Sequence, residues 1–346
     1  MPVPAVASYS AASSGDTSSD SSVAKVVSSS TAESCASIPI EVQESSSSSG
    51  SNIRASTSTK MSVLLRDSED FERKRNRFVA GGSNRLQVIS DFDFTMTKFW
   101  VNGRRGDSCH AVIDDSGLLA ESFHERTSEL RNYYYPLEVA PDLSHEMRVK
   151  MMVEWVTKAH EAMVAAGITK DILTAAVGKA NLQFRGGHGE FLRWVDEEGV
   201  PLLMFSAGIA DVLEEAFRQH SEEPLPSTCR VISNRMAFDA GGRMTGFVGE
   251  CFHVFNKHAS SAVVKPYFET EQMRCRDNVL LLGDSLGDLN MVKGLSADEI
   301  LTVGFLNDKV EERKEEYLKA YDVVVLGDGG FDFVLDLLKG IGASSK

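Results

Sequence analysis

From about Met61 onward, apolar residues gather in short unbroken runs separated by stretches of helical periodicity. The runs are Leu86-Gln-Val-Ile89, Pro201-Leu-Leu-Met-Phe205, Arg230-Val-Ile232, Asn278-Val-Leu-Leu-Leu282, Leu301-Thr-Val303 and Asp322-Val-Val-Val-Leu326. Each is too short for an amphipathic helix and lacks the strict alternation of a strand with one wet face, so they read as strands buried on both faces. Helical spacing recurs between them at about 209–220, 288–293, 308–320 and 330–339, and before the first strand at 61–79, where Gly81-Gly82 should end the helix. Strand and helix in alternation predict an α/β protein: a Rossmann-like, doubly wound, mainly parallel sheet with helices on both faces.

The interval between the first strand and Leu202 is too long for one crossover. It carries helical patterns around 117–132, 144–166, 169–180 and 187–198 and no strand-like run of similar quality. Residues 105–185 are therefore expected to form a helical cap inserted after the first strand, with 61–104 and 186–346 as the core. A cap closing over the carboxyl edge of such a sheet excludes water and reads the substrate. Residues 1–60 have another texture: serine takes about a third of the positions, including Ser45 to Ser49, and large apolar residues are sparse. A segment of that kind buries too little surface to offset its ordering entropy and is expected to be disordered.

Composition narrows the partners. A net charge of -14 at pH 7 argues against a nucleic-acid polymer, which would ask for a basic face. No apolar run approaches the length needed to cross a bilayer, so no membrane is expected. The first thirty residues hold no Arg, one Lys (Lys25) and two acids (Asp16, Asp20), which disfavours an organelle transit peptide. Cys35, Cys109, Cys229, Cys251 and Cys275 are scattered and odd in number, with no C-x-x-C pair, consistent with reduced thiols and a cytoplasmic protein. The pattern does not fix an oligomeric state, and a monomer is favoured.

The first strand ends in Ser90-Asp91-Phe-Asp93-Phe-Thr95. Two aspartates in the loop past a buried parallel strand stand where open α/β sheets bind ligands. One carboxylate there can attack phosphorus if a cation offsets the charge repulsion, and its neighbour two positions on can move a proton. A strand-end helix cap beside a solvated acid is the plain alternative, so the pair needs partners. Ser206-Ala207-Gly208 offers a small hydroxyl and backbone N–H groups for phosphate oxygens, although Ser before Gly is also a common helix cap. Gly283-Asp284-Ser285-Leu-Gly287-Asp288 puts two acids on a Gly-rich turn. Mg²⁺ suits a set of Asp91, the backbone carbonyl of Asp93, and Asp284, with Asp288 orienting the loop behind them. Lys257, in Phe255-Asn-Lys-His258, could neutralise both nucleophile and phosphate, though a lone lysine is ordinarily solvated.

This ordered set, D-x-D-x-T, S-A-G, N-K-H and G-D-S-x-G-D, resembles the haloacid dehalogenase superfamily of phosphatases. Further stretches resemble the cytosolic 5′-nucleotidase III family of pyrimidine and 7-methylguanosine-phosphate nucleotidases. They are Gln87 to Asp93, Tyr134-Tyr-Pro-Leu-Glu-Val139, Met152-Val-Glu-Trp-Val-Thr-Lys-Ala-His160, Phe205 to Ile209, His253 to His258 and Gly304 to Glu312. The resemblance runs from about residue 62 to the C-terminus. It implies a Mg²⁺-dependent 5′-nucleotidase acting on nucleoside 5′-monophosphates through an aspartyl-phosphate. It makes Asp91 the nucleophile and Asp93 the acid and base, with Thr95 in a supporting place. Ser206, Ala207 and Lys257 fall on phosphate-binding positions and Glu138 on the base-recognition position. Without the family, Glu138 would be an ordinary surface acid. Trp155 could stack on a base or simply pack the cap.

The base stays open. Thr157-Lys-Ala159-His, the Tyr134 to Glu138 tract and the Phe305 to Arg313 run resemble the 7-methylguanosine branch, while Ser108-Cys-His110 and Phe255 to His258 resemble the pyrimidine branch. The core motifs do not specify the alcohol, so a phosphatase for another small phosphomonoester is the alternative, with a non-catalytic nucleotide sensor behind it.

Overall fold

The computed structural model describes residues 63–138, 140 and 143–343; the serine-rich head at 1–60 lies outside the described residues. Strand β1 (Val63–Leu65) and helix α1 (Ser68–Arg85) lead into β2 (Leu86–Ser90), and a small hairpin of β3 (Trp100–Val101) and β4 (Arg104–Arg105) follows. Then come α2 (Cys109–Asp114), α3 (Glu121–Glu138), α4 (His145–Ala165), α5 (Lys170–Lys179) and α6 (His188–Glu197). The chain returns to the sheet through β5 (Leu202–Ile209), α7 (Ala210–His220), β6 (Cys229–Phe238) and β7 (Met244–Val248). The one-turn helices α8 (Lys265–Phe268) and α9 (Glu271–Arg274) precede β8 (Asn278–Gly283) and a 3-10 helix over Leu286–Val292. The last units are β9 (Glu299–Leu306), α10 (Val310–Ala320), β10 (Val323–Leu326) and α11 (Asp332–Ala343).

The main sheet has eight strands in the order β1-β10-β9-β8-β2-β5-β6-β7. Its inner pairings are parallel, and only the edge strands β1 and β7 run antiparallel. All residues of β2 and β8 are buried, which is why their runs are mostly apolar and do not alternate, with Gln87, Ser90 and Asn278 as buried polar exceptions. Ser90 stands opposite both Met204 of β5 and Leu282 of β8, so the chain leaves these neighbouring strands close together, at one level of the carboxyl edge. The mainly parallel α/β architecture expected from the pattern is the one observed.

The edges depart from it. Over 61–79 a short strand, β1, precedes the helix, and Asp67 caps that helix by accepting from the N–H groups of Glu69 and Asp70 at 2.9 Å each. Gly82, at φ 62°, kinks the helix, which then resumes for one turn to Arg85. The ends of the long helical stretch meet at Asn181, whose backbone N–H donates to Asp107 Oδ2 at 2.7 Å while its side-chain amide donates to the carbonyls of Val101 and Arg105 at 3.1 and 3.2 Å. Among the described residues no helix is long and apolar enough to cross a membrane.

Candidate active site

The loop after β2 folds back tightly. Phe94 has φ 62°, its N–H donates to Thr97 Oγ1 at 2.9 Å, and Met96 N–H donates to the Phe92 carbonyl at 2.9 Å. A left-handed non-glycine residue costs energy and persists only where its surroundings hold it. Arg185 does much of that holding. Its fully buried guanidinium donates to the carbonyls of Thr95 at 2.9 Å, Phe94 at 2.5 Å and Thr97 at 3.2 Å. It also reaches Asn307 Oδ1, Asp328 Oδ1 and the Gly329 carbonyl at 3.0, 3.1 and 2.6 Å. One side chain thus ties the loop after β2 to those after β9 and β10, a use that Arg's planar fork of donors suits.

The fold leaves Asp91 buried and Asp93 half-buried at this loop. Lys257 is buried too, and its Nζ lies 2.5 Å from Asp91 Oδ1 and 2.9 Å from Asp288 Oδ1. The other oxygen of Asp288 accepts from the N–H groups of Asp284 and Ser285 and from the Ser285 hydroxyl, at 3.2, 2.9 and 2.9 Å. Tyr317 and Tyr321 donate their hydroxyls to the carbonyls of Asp284 and Ser285 at 2.5 Å each, fixing the acidic turn from behind. Asp91, Asp284 and Asp288 each offer an oxygen within 4.8 Å of the others, an all-carboxylate set able to hold a hard divalent cation. The Asp93 carboxylate is not part of that grouping; the atom expected from Asp93 is its backbone carbonyl.

On the other side of β2, Ser206 is buried and its hydroxyl accepts from Gly208 N–H at 2.9 Å. Asn234 Nδ2 donates to the carbonyls of Ala207, Gly208 and Phe252 at 2.9, 3.1 and 2.9 Å, and Asn234 Oδ1 accepts from Phe252 N–H at 2.8 Å. Asn256 continues the bracing by accepting from His253 N–H and donating to the Cys251 carbonyl, both at 2.8 Å. These amides connect the end of β5 that carries Ser206 to the segment that delivers Lys257. A Cβ on Gly208 would sit 2.8 Å from both Cβ and Sγ of Cys109 and 3.0 Å from Asp93 Oδ2, so glycine is required by close approach. Cys109, the first residue of α2, donates its N–H to Asp93 Oδ1 at 2.9 Å and thereby connects the helical stretch to the second aspartate.

Burial dominates the electrostatics. It pushes the carboxyls of Asp91 and Asp284 up from the usual carboxylate range; Lys257 opposes this at both, and Asp288 reinforces it. Burial also raises Asp93, to about 6, against the hydrogen bonds from Cys109. At Lys257 burial disfavours the ammonium, but Asp288 and Asp91 outweigh it and hold the group charged. Such a concentration of perturbed groups at one strand edge is characteristic of reactive centres.

Other expected residues sit farther out. Thr95 is fully buried with no hydrogen bond to its hydroxyl; it is Thr97 that closes the loop. Glu138 ends α3, half-buried, its carboxyl raised by burial with Arg105 opposing. Trp155 stacks on Tyr134 with centroids 6.0 Å apart and 10° between planes, within a cluster of Leu130, Tyr134 and Met152 that also receives Val254 and Phe255 from the Lys257 segment. Arg185, Asn234 and Asn256 were not singled out by pattern, because each acts on backbone carbonyls supplied by distant parts of the chain.

A paired, buried lysine over an aspartate at the end of a central parallel strand places the protein among haloacid dehalogenase-like α/β phosphohydrolases. Within that class the pyrimidine 5′-nucleotidase (UMPH-1) family model matches residues 94–342, and the chain belongs to that family. The chain is 41% identical over 287 residues to 7-methylguanosine phosphate-specific 5′-nucleotidase A of Xenopus laevis, covering 83% of this chain and 98% of that protein. The enzyme of the same description from Homo sapiens is 38% identical over 287 residues, covering 83% and 94%. Among solved structures, cytosolic 5′-nucleotidase IIIB bound to cytidine superposes with a TM-score of 0.72 at 29% identity, covering 82% of this chain and 94% of that one.

Proposed function

We propose that the protein is a Mg²⁺-dependent 5′-nucleotidase that hydrolyses nucleoside 5′-monophosphates, preferring 7-methylguanosine phosphate over pyrimidine nucleotides. The observation that carries the reaction is the clustering of Asp91, Asp284 and Asp288, with oxygens within 4.8 Å of one another and Lys257 bridging two of them. The base preference follows the names of the relatives at 38–41% identity. It fits the half-buried carboxylate of Glu138, since a methylated guanine is cationic and offers donors on its edge.

Asp91 attacks phosphorus, and the bond to the 5′ oxygen breaks as Asp93 gives that oxygen a proton. Asp93, now a base, takes a proton from the water that opens the aspartyl-phosphate. Ser206, the Ala207 N–H and Lys257 hold the phosphate oxygens through both steps. An oxygen-only donor set fits Mg²⁺, which Asp91, Asp284 and the Asp93 carbonyl would hold with Asp288 behind them, and which would supply charge neutralisation for the approach of anion to anion. Residues 105–185 act as the cap that reads the base through Glu138, and the site works in the cytoplasm on a small-molecule substrate.

The test is phosphate release from 7-methyl-GMP, CMP and UMP by the purified protein with Mg²⁺ and with a chelator. Asp91→Asn should lower kcat by about a thousandfold or more. Release from none of the three, or full activity in that variant, refutes the reading. A kcat/KM for CMP at or above that for 7-methyl-GMP refutes the preference alone.

A further inference from the structure

The centre gathers Asp91, Asp284 and Asp288, with Asp93 two residues from the first, and its buried lysine, Lys257, already contacts Asp91 and Asp288. A divalent ion offsets part of this charge, but a phosphomonoester then adds roughly 1.5 to 2 negative charges at neutral pH. Arg185 offsets part of the charge on Asp284, but its buried guanidinium is committed to surrounding acceptors and has no donor left for a phosphate. A second, uncommitted cation within reach of the substrate is what the arrangement lacks.

Arg105 has the attributes required. It is the last residue of β4, paired with Trp100 across the hairpin, and its carbonyl accepts from Asn181 Nδ2 at 3.2 Å, which fixes its backbone at the base of the helical stretch. Its side chain is exposed, and the guanidinium carbon lies 4.9 Å from the ring centroid of Phe94 and 5.1 Å from that of Phe99. Phe94 directly follows Asp93 in the loop after β2. Among the described residues the guanidinium makes no ion pair and no hydrogen bond, so two rings orient it and no carboxylate consumes it. Burial raises the carboxyl of Glu138, and Arg105 opposes it. The free guanidinium therefore stands against the loop that carries Asp91 and Asp93, held on the residue that follows Asp93.

We propose that Arg105 is a substrate-binding residue whose guanidinium takes a phosphate oxygen of the incoming nucleotide, as the second cation beside Lys257. This rests on the nucleotidase reading for the identity of the phosphate's owner, but not for the binding of phosphate itself. Arginine suits the task because its fork of N–H donors matches phosphate oxygens in pairs. The contact with Phe94 adds selectivity: at the loop that carries Asp91 the guanidinium meets the phosphate of a nucleotide, whereas a bare nucleoside gives it no anion to hold.

The experiment compares the full chain with Arg105→Gln and Arg105→Lys in Mg²⁺ buffer. Calorimetric titration with inorganic phosphate is run beside kinetics on CMP and 7-methyl-GMP and inhibition by cytidine and 7-methylguanosine. Arg105→Gln should weaken phosphate binding and raise KM about ten- to a hundredfold, leave kcat within about threefold, and leave nucleoside inhibition within about twofold. Arg105→Lys should recover part of the phosphate affinity. Unchanged phosphate affinity in Arg105→Gln overturns the proposal, as does a loss shared equally by the nucleosides, which would assign Arg105 to the base. Should the wild-type protein hydrolyse no nucleotide, the phosphate titration still decides the role of Arg105, so the two readings fail separately.

Discussion

Lys257 Nζ lies 2.5 Å from Asp91 Oδ1 with both side chains almost wholly out of solvent, and it is shared with Asp288 at 2.9 Å. The pair comes from chain segments 166 residues apart, so it depends on the fold bringing them to one sheet edge. Replacing Lys257 with Met would leave Asp91, Asp284 and Asp288 crowded together with no fixed cation among them. The expected cost is about 3–5 kcal/mol of stability, because a buried charge stripped of its partner keeps its desolvation penalty. Urea unfolding should show this loss, and Mg²⁺ should stabilise the variant more than the wild type. Phosphatase activity should be abolished. A variant as stable as wild type in chelator would remove the ion pair from the account of the fold.

Arg185 makes a second prediction, concerning the loop and not the charges. Arg185→Met strands the carbonyls of Thr95 and Thr97 in a buried setting, while the Phe94 carbonyl keeps Asn307 Nδ2 at 2.9 Å. Each unsatisfied group costs about 1–3 kcal/mol, and the losses are not additive, so destabilisation of at least about 3 kcal/mol is expected in urea melts. Arg185→Lys should recover little, since one ammonium cannot reach acceptors spread across three loops. Recovery to within about 1 kcal/mol of wild type would show that charge, and not the fork of donors, is what matters.

Gly208 separates geometry from stability. A methyl group there would press on Cys109 Cβ and Sγ at 2.8 Å and on Asp93 Oδ2 at 3.0 Å. Gly208→Ala should cost about 1–3 kcal/mol through overpacking. The larger effect should fall on kcat, by about ten- to a hundredfold, because displacement of a proton-transferring carboxylate by a fraction of an ångström spoils its alignment. Stopped-flow measurement of the nucleoside burst on the full chain would locate the loss in the first step. An unchanged kcat would mean that the contact between α2 and Asp93 does not govern the alignment.

How much of this was written locally follows from where each partner lies. The strands β2 and β8 are buried on both faces, so their largely apolar runs mark them without knowledge of neighbours. Edge strand β7, Met244-Thr-Gly-Phe-Val, carries a central glycine and is mostly half-buried or exposed, so no run announces it. Asp91, Asp93, Ser206, Lys257 and Asp284 stand out because their chemistry is concentrated in short motifs at strand ends. Arg185 looks like any arginine at the end of a helical stretch, and its meaning depends on three loops meeting around it. Asn234 is likewise mute: its amide serves Ala207 and Phe252, which only the folded sheet brings within 2.9 Å. Trp155 read equally as base platform or cap packing, and it stacks on Tyr134.

Asp114, at the end of α2, carries the pH prediction. Burial raises its carboxyl to about 7, against the pull of Arg131, and Oδ1 has no hydrogen-bond partner. The ordinary carboxyl value of about 3.9 applies to the unfolded chain. Between these values the native state binds the proton and the unfolded state does not, so stability falls as pH rises through the window from about 4 to about 7. The slope from this one group is at most about 1.4 kcal/mol per pH unit, and it flattens above pH 7, where both states are ionised. Asp114→Asn keeps the shape, removes the ionisation, and should make the variant more stable than wild type at pH 7.5 while the two converge near pH 4. Urea midpoints measured at half-unit intervals from pH 4 to 8 test this directly. Parallel curves for variant and wild type would show that Asp114 titrates at its ordinary value and that the α2 terminus opens to solvent.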